Sequence, residues 1–151
     1  MIRVMNRQRR VALSAKSIEG LGAAGTIALE SLGVAERPVA VVLVSDRAMR
    51  RLNRQFRGKD QPTNVLSFPE DEEDLGGGVN PSLQIDPTGA GFLQEPPPLG
   101  DVILSLETAQ REAKDDPEFG RDLSRDSKRT DEELLFDRLV TLLIHGLLHL
   151  V

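Results

Sequence analysis

The chain has 151 residues, with 19 Lys and Arg against 24 Asp and Glu, giving a formal net charge of −5. It contains no cysteine, Trp or Tyr, which excludes disulfides, thiolate metal sites and cysteine nucleophiles and argues against a base-stacking platform for RNA. The length suits one domain spanning residues 1–151, no apolar run approaches the roughly 20 residues of a membrane span, and the acidic total argues at first sight against nucleic acid.

The N-terminus carries Arg3, Arg7, Arg9 and Arg10, but Lys16 and Glu19 interrupt the stretch after them, which is no clean apolar run. No signal peptide is read, and a cytoplasmic location is expected. Ser14 to Leu32, rich in Ala, Leu and Ile and ended by Gly33, predicts a helix weakened by Gly20, Gly22 and Gly25. The β-branched run from Val39 to Val44 predicts a buried strand. Ser45 or Asp46 can cap a helix from Arg47 to Phe56, with Met49, Leu52 and Phe56 as its apolar positions. After a loop through Gly58, Pro62, Thr63 and Asn64, a short strand runs from Val65 to Phe68.

Residues 70–98 differ in kind. They hold five Gly, five Pro and seven acids without a Lys or Arg. That composition predicts a flexible acidic excursion rather than a packed element. A strand from Gly100 to Ser105 and a helix from Leu106 to Ala113 come next, then a charged stretch over 114–129. Thr130 and Glu133 form a capping box for the last helix. Its ten Leu, Ile and Val residues from Leu134 to Leu150 cover most of its surface, which predicts a central buried helix. The expected fold is α/β (α+β), a small mixed β-sheet packed on that C-terminal helix with flanking helices.

The two histidines of the chain, His145 and His149, lie four apart near the end of this helix. At 3.6 residues per turn they share a face, and two imidazoles so placed can reach one divalent metal. Alternatively they hydrogen-bond in an apolar core, where an unsatisfied imidazole is costly. Gly146 between them lowers helix stability by about 1 kcal/mol relative to Ala, which suggests a close backbone approach. It also stands where a zinc peptidase of the H-E-x-x-H type has its general base. A second cluster sets Arg47, Arg50, Arg51, Arg54, Arg57 and Lys59 against Asp46 and Asp60. It reads either as a solvated helix face or as a phosphate grip, to which Thr63 and Asn64 add neutral donors.

Three blocks make the chain resemble the YbeY family of bacterial endoribonucleases and ribosomal-RNA maturation factors. They are Arg57-Gly58-Lys59-Asp60-x-Pro62-Thr63-Asn64-Val65-Leu66-Ser67-Phe68-Pro69, Leu99-Gly100-Asp101-Val102-Ile103 with Ser105-x-Glu107-Thr108-Ala109, and His145-Gly146-x-Leu148-His149-Leu150. The resemblance implies one zinc ion held by three histidines of H-G-x-L-H-L-x-G-Y-D-H, of which His145 and His149 match the first two. It implies a place for Arg57 in the active-site cleft, on a substrate phosphate. Catalytic roles are expected for Arg57 and His145, and the cation cluster with its neutral donors is expected to supply RNA contacts from Arg54, Arg57, Lys59, Thr63 and Asn64.

The implied activity is metal-dependent cleavage of single-stranded RNA in small-subunit ribosomal RNA maturation and ribosome quality control. The ribosome or a ribosomal protein is the implied partner, with neither DNA nor a membrane. The third histidine is absent, because the sequence stops at Val151, and truncation is expected. Asp101 or another carboxylate could complete the ligand set. A non-catalytic RNA- or ribosome-binding assembly factor is the alternative. Segment 70–98 contributes −7, so the remainder is −5 − (−7) = +2. The acidic total therefore does not exclude RNA, and the segment is expected to swing away from bound RNA or screen it.

Overall fold

Three strands in parallel set the frame. In the computed structural model, which describes residues 1–70, 83–85, 92–94, 96–115 and 129–151, β1 (Ile2–Asn6), β2 (Val39–Val44) and β6 (Gly100–Ser105) pair side by side. β3 (Val65–Pro69) adds antiparallel to β6, so the four-stranded sheet has the order β1-β2-β6-β3. The short strands β4 (Leu83–Ile85) and β5 (Phe92–Gln94) pair antiparallel with each other. This pair lies inside the 70–98 segment expected to hold no packed element; the rest of 71–95 lies outside the described residues, as does 116–128.

Alternation along each strand assigns the two faces. Val39, Val41, Leu43, Val102 and Leu104 face one core with Leu21 and Leu29 of α1 (Ala15–Ser31), Leu106 and Ala109 of α3 (Leu106–Asp115), and Leu135, Leu139, Leu143 and Leu147 of α4 (Asp131–Leu148). Val44, Leu66 and Ile103 face the other side, against Met49 of α2 (Asp46–Arg57). The small mixed sheet packed on the C-terminal helix is thus as expected. β1 was not anticipated. It forms because parallel pairing with β2 completes its backbone hydrogen bonds and buries Ile2 and Val4 against the first core.

The helices start where their caps dictate. Ser14 accepts from the Ser17 amide and Ser45 from the Ala48 amide. Thr130 accepts from the Glu133 amide while the Glu133 carboxylate accepts in return from the Thr130 amide. Two of the glycines that weaken α1 as a helix serve its packing. A Cβ at Gly20 would lie 3.1 Å from the Phe136 ring, and one at Gly25 would meet Ile2 and Leu143. Gly100, at φ +135°, brings β6 against the end of β3, where a Cβ would run into the Phe68 carbonyl.

Asp46 locks the start of α2 to the end of β6 and the start of α3. Its Oδ1 accepts from the Ser105 hydroxyl at 2.7 Å and the Thr108 hydroxyl at 2.6 Å. Oδ2 pairs with Arg111 at 2.8 Å, and the Asp46 amide donates to Glu107 at 3.1 Å. Partial burial alone would raise the Asp46 carboxyl pKa. The hydrogen bonds from Thr108, Ser105 and Arg111, with the Arg111 charge, outweigh it and hold the carboxyl below its ordinary range.

A depressed pKa stabilises the fold above the unfolded carboxyl value and ceases to do so as pH falls through the folded value. Asp46→Asn is therefore expected to lower stability at pH 7 by about 1–3 kcal/mol. That deficit should shrink below about pH 4 as the native carboxyl also protonates. Urea unfolding midpoints of both proteins at pH 7 and pH 3 check this; a deficit unchanged between the two would contradict it.

Candidate functional site

The end of α2, the edge strand β3 and the last turns of α4 enclose a cleft of about 510 Å³, lined by Arg57, Thr63, Asn64, Val65, Ser67, Pro69, His145 and His149. The pleat explains one wall. Val65, Ser67 and Pro69 of β3 are spaced by two, so they project to the same side, and Thr63 and Asn64 join them from the loop before the strand. The helix explains the other, with His145 and His149 one turn apart on α4. Arg57 reaches the cleft as the last residue of α2, which Gly58 ends in the left-handed conformation at φ +69°.

Gly146 brings the two walls together. An added Cβ there would sit 2.7 Å from Val102 Cγ1 and 3.2 Å from both Ser67 Oγ and Val65 Cγ2. The Ser67 hydroxyl donates to the Gly146 carbonyl at 2.9 Å. The expected close approach is present, and it fixes the turn of α4 that carries both histidines.

The histidines are exposed, contrary to the apolar surround expected of them. The buried stripe of α4 runs through Leu139, Leu142, Leu143, Gly146 and Leu147, which leaves Ile144, His145, Leu148 and His149 facing out. The two Nε2 atoms are 3.1 Å apart and the rings meet edge-on with centroids 4.6 Å apart. That separation is close to the ~3.3 Å edge expected between two nitrogens bound to zinc at about 2.0–2.1 Å in a tetrahedron. The contact is also a hydrogen bond between the two rings, as the alternative reading of the pair expected, and the same convergence would let both imidazoles serve as ligands of one metal ion.

Among the described residues no third ligand joins them: no group of three or more His, Asp, Glu or Cys could hold a metal ion. Asp101 does not complete the set. It alternates with Val102, which faces α4, so it lies on the α2 side of the sheet and is exposed.

The other expected RNA contacts divide. Arg57, Thr63 and Asn64 line the cleft with the histidines, whereas Arg54 and Lys59 do not. Arg54 lines a separate depression with Arg47, Arg50, Arg51 and Asp60. Lys59 is exposed beyond the helix cap. Asn64 has its amide nitrogen committed: Nδ2 donates to the Glu112 carboxylate at 3.1 and 3.3 Å, and Glu112 is held by Arg138 at 2.6 Å. Its role as a free donor is thereby reduced, and its Oδ1 is left as an acceptor.

Several supports of the cleft carry little signal in the sequence. Asn53 is buried on α2 and donates to the Gln61 carbonyl at 2.7 Å, tying down the loop that leads to Thr63 and Asn64. Its signal was a polar residue four after the buried Met49, on the helix's apolar face. Nothing in the spacing of Glu112 and Arg138 pointed to Asn64. Among the described residues, no helix is long and apolar enough to cross a membrane.

A family model described as Endoribonuclease YbeY matches residues 3–151. The chain is 35% identical over 149 residues to endoribonuclease YbeY of Geobacter sulfurreducens, covering 99% of this chain and 77% of that protein. It is 38% identical over 137 residues to endoribonuclease YbeY of Anaeromyxobacter dehalogenans, covering 91% of this chain. The chain spans about half the length of that second relative (53%). The solution structure of TM1509 from Thermotoga maritima is similar with a TM-score of 0.53 at 25% identity, over 99% of this chain and 71% of that one.

Proposed function

Because the chain belongs to the YbeY family, we propose that it is a metal-dependent endoribonuclease that cuts single-stranded RNA in the cleft between α2, β3 and α4. Its proposed setting is the cytoplasm, in small-subunit ribosomal RNA maturation and ribosome quality control, with the ribosome or a ribosomal protein as partner. The observation that carries the reading is the convergence of Arg57, Thr63 and the two histidine Nε2 atoms on one cleft.

Each side chain then has a task set by its chemistry. Arg57 offers a planar, permanently charged fork that binds a phosphodiester and offsets the negative charge growing on its oxygens. The Thr63 hydroxyl donates to a phosphate oxygen beside it. Ser67 holds the wall of β3 against Gly146 through its bond to the carbonyl. Asn64, oriented by Glu112 and Arg138, presents an acceptor to an RNA hydroxyl or base amine. His145 and His149 would hold zinc, whose Lewis acidity polarises a phosphoryl oxygen.

Arg57→Ala is expected to slow cleavage of single-stranded RNA by about a hundredfold to a thousandfold, the scale of losing one charge-stabilising donor. Zinc content should not change, because Arg57 is not among the ligands. Loss of zinc along with activity would assign Arg57 a structural role instead.

The two-nitrogen ligand set favours a second reading, an RNA- or ribosome-binding assembly factor without catalysis. Metal analysis after exhaustive dialysis separates the two. Zinc near one equivalent supports the enzyme, and less than about a tenth of an equivalent supports the binding factor.

A further inference from the structure

Four arginines of α2 lie outside the lining of the cleft. Arg47, Arg50, Arg51 and Arg54 recur at i, i+3, i+4 and i+7, so they share one side of the helix, opposite the buried Met49 and Asn53. All four are exposed. With Asp60 they line a depression of about 300 Å³. Asp60 is taken up by Arg50, which it binds through both carboxylate oxygens at 2.9 and 3.0 Å. Among the described residues, Arg47, Arg51 and Arg54 make no ion pair.

We propose that this face of α2 is a second phosphate-binding track, which holds the single-stranded RNA on one side of the segment being cut. The inference rests on reading the cleft as an RNA site. Three observations favour RNA as the occupant. The same helix delivers Arg57 to the cleft, so track and cleft are continuous over the ~15 Å between positions 47 and 57. Unpaired guanidiniums repeat at about the 5.4 Å helical pitch, which suits a chain of anions rather than a single ion. Finally, neither this depression nor the neighbouring one formed by Arg51, Arg54 and Gln55 has an apolar lining residue. A protein partner would want a buried apolar or aromatic anchor there. Phe56, the exposed aromatic of α2, is stacked edge-on against Phe68 at 4.9 Å instead.

The test compares two 2′-O-methylated, uncut RNA oligomers of about 4 and about 12 nucleotides by fluorescence anisotropy across a salt series. The native chain should bind the longer oligomer more tightly. The double variant Arg47→Gln/Arg51→Gln should lose about tenfold of that affinity at low salt, and its salt slope should fall by roughly 1.4 for two lost phosphate contacts. Its affinity for the short oligomer should be unchanged. Asp60→Asn frees Arg50 and should act in the opposite sense, tightening binding of the longer RNA severalfold at low salt.

If the double variant binds the long oligomer like the native chain, the track is overturned while the cleft reading stands. The arginine face would then be open to an acidic protein surface. If the native chain binds neither oligomer, the track and the RNA reading of the cleft fall together. An equal loss on both oligomers would also overturn the track, because it would place Arg47 and Arg51 in the cleft's own binding.

Discussion

His145→Ala is expected to lower cleavage of single-stranded RNA by about a thousandfold, the scale of removing a positioned catalytic group, and to release the metal. The reason is geometric. The Nε2 atoms of His145 and His149 converge at 3.1 Å, and among the described residues no carboxylate or third imidazole joins them to take the place of one lost. A single histidine is a poor zinc ligand set at neutral pH. The side chain is exposed, so the fold should be unaffected, with stability within about 0.5 kcal/mol of the native chain. Cleavage assays, metal analysis and a urea curve on the same preparation check all three parts. Cleavage that survives the substitution would place the chemistry elsewhere.

Gly146→Val is expected to destabilise the fold by about 2–3 kcal/mol through overpacking and to reduce cleavage with it. The new Cβ would lie 2.7 Å from Val102 Cγ1. Val102 is fully buried on the inner strand β6. The last turn of α4 would have to lift from the sheet, breaking the 2.9 Å bond from Ser67 to the Gly146 carbonyl. That turn carries the imidazoles on both sides of position 146, so stability and site geometry should suffer together. The thermal midpoint should drop by roughly 5–10 °C. An unchanged midpoint would mean that the walls of the cleft are not held as tightly as the distances indicate.

The parts of this molecule legible in its sequence are those governed by local rules. Helix starts at Ser14, Ser45 and Thr130 follow from side chains that bond the first free amides. The strands at Val39–Val44 and Gly100–Ser105 follow from buried apolar runs. Gly146 signalled a close approach because nothing else explains a glycine inside so apolar a helix. What was not legible depends on contacts distant in the chain. β1 exists through its pairing with β2. The four residues that anchor α2, namely Asp46, Ser105, Thr108 and Arg111, are separated by up to 65 positions and meet only once β2 and β6 lie side by side.

The cation cluster shows the same limit inside one helix. Arg54 and Arg57 lie three apart on α2, yet Arg57, the last residue of the helix, lines the cleft while Arg54 lines the separate arginine depression. The histidines mislead in the opposite way. A helix apolar on most of its surface implied a buried pair, but α1, α3 and the sheet together cover one stripe of α4, and the pair stands outside it. Exposure suits the proposed RNA site, and it leaves the pair accessible from solvent.

The most direct test of the proposed activity is cleavage of a single-stranded RNA by the purified chain, measured as prepared, after chelation, and after zinc is returned. The account predicts cleavage that chelation abolishes and zinc restores. Cleavage indifferent to chelation, or no cleavage with zinc supplied, would contradict it.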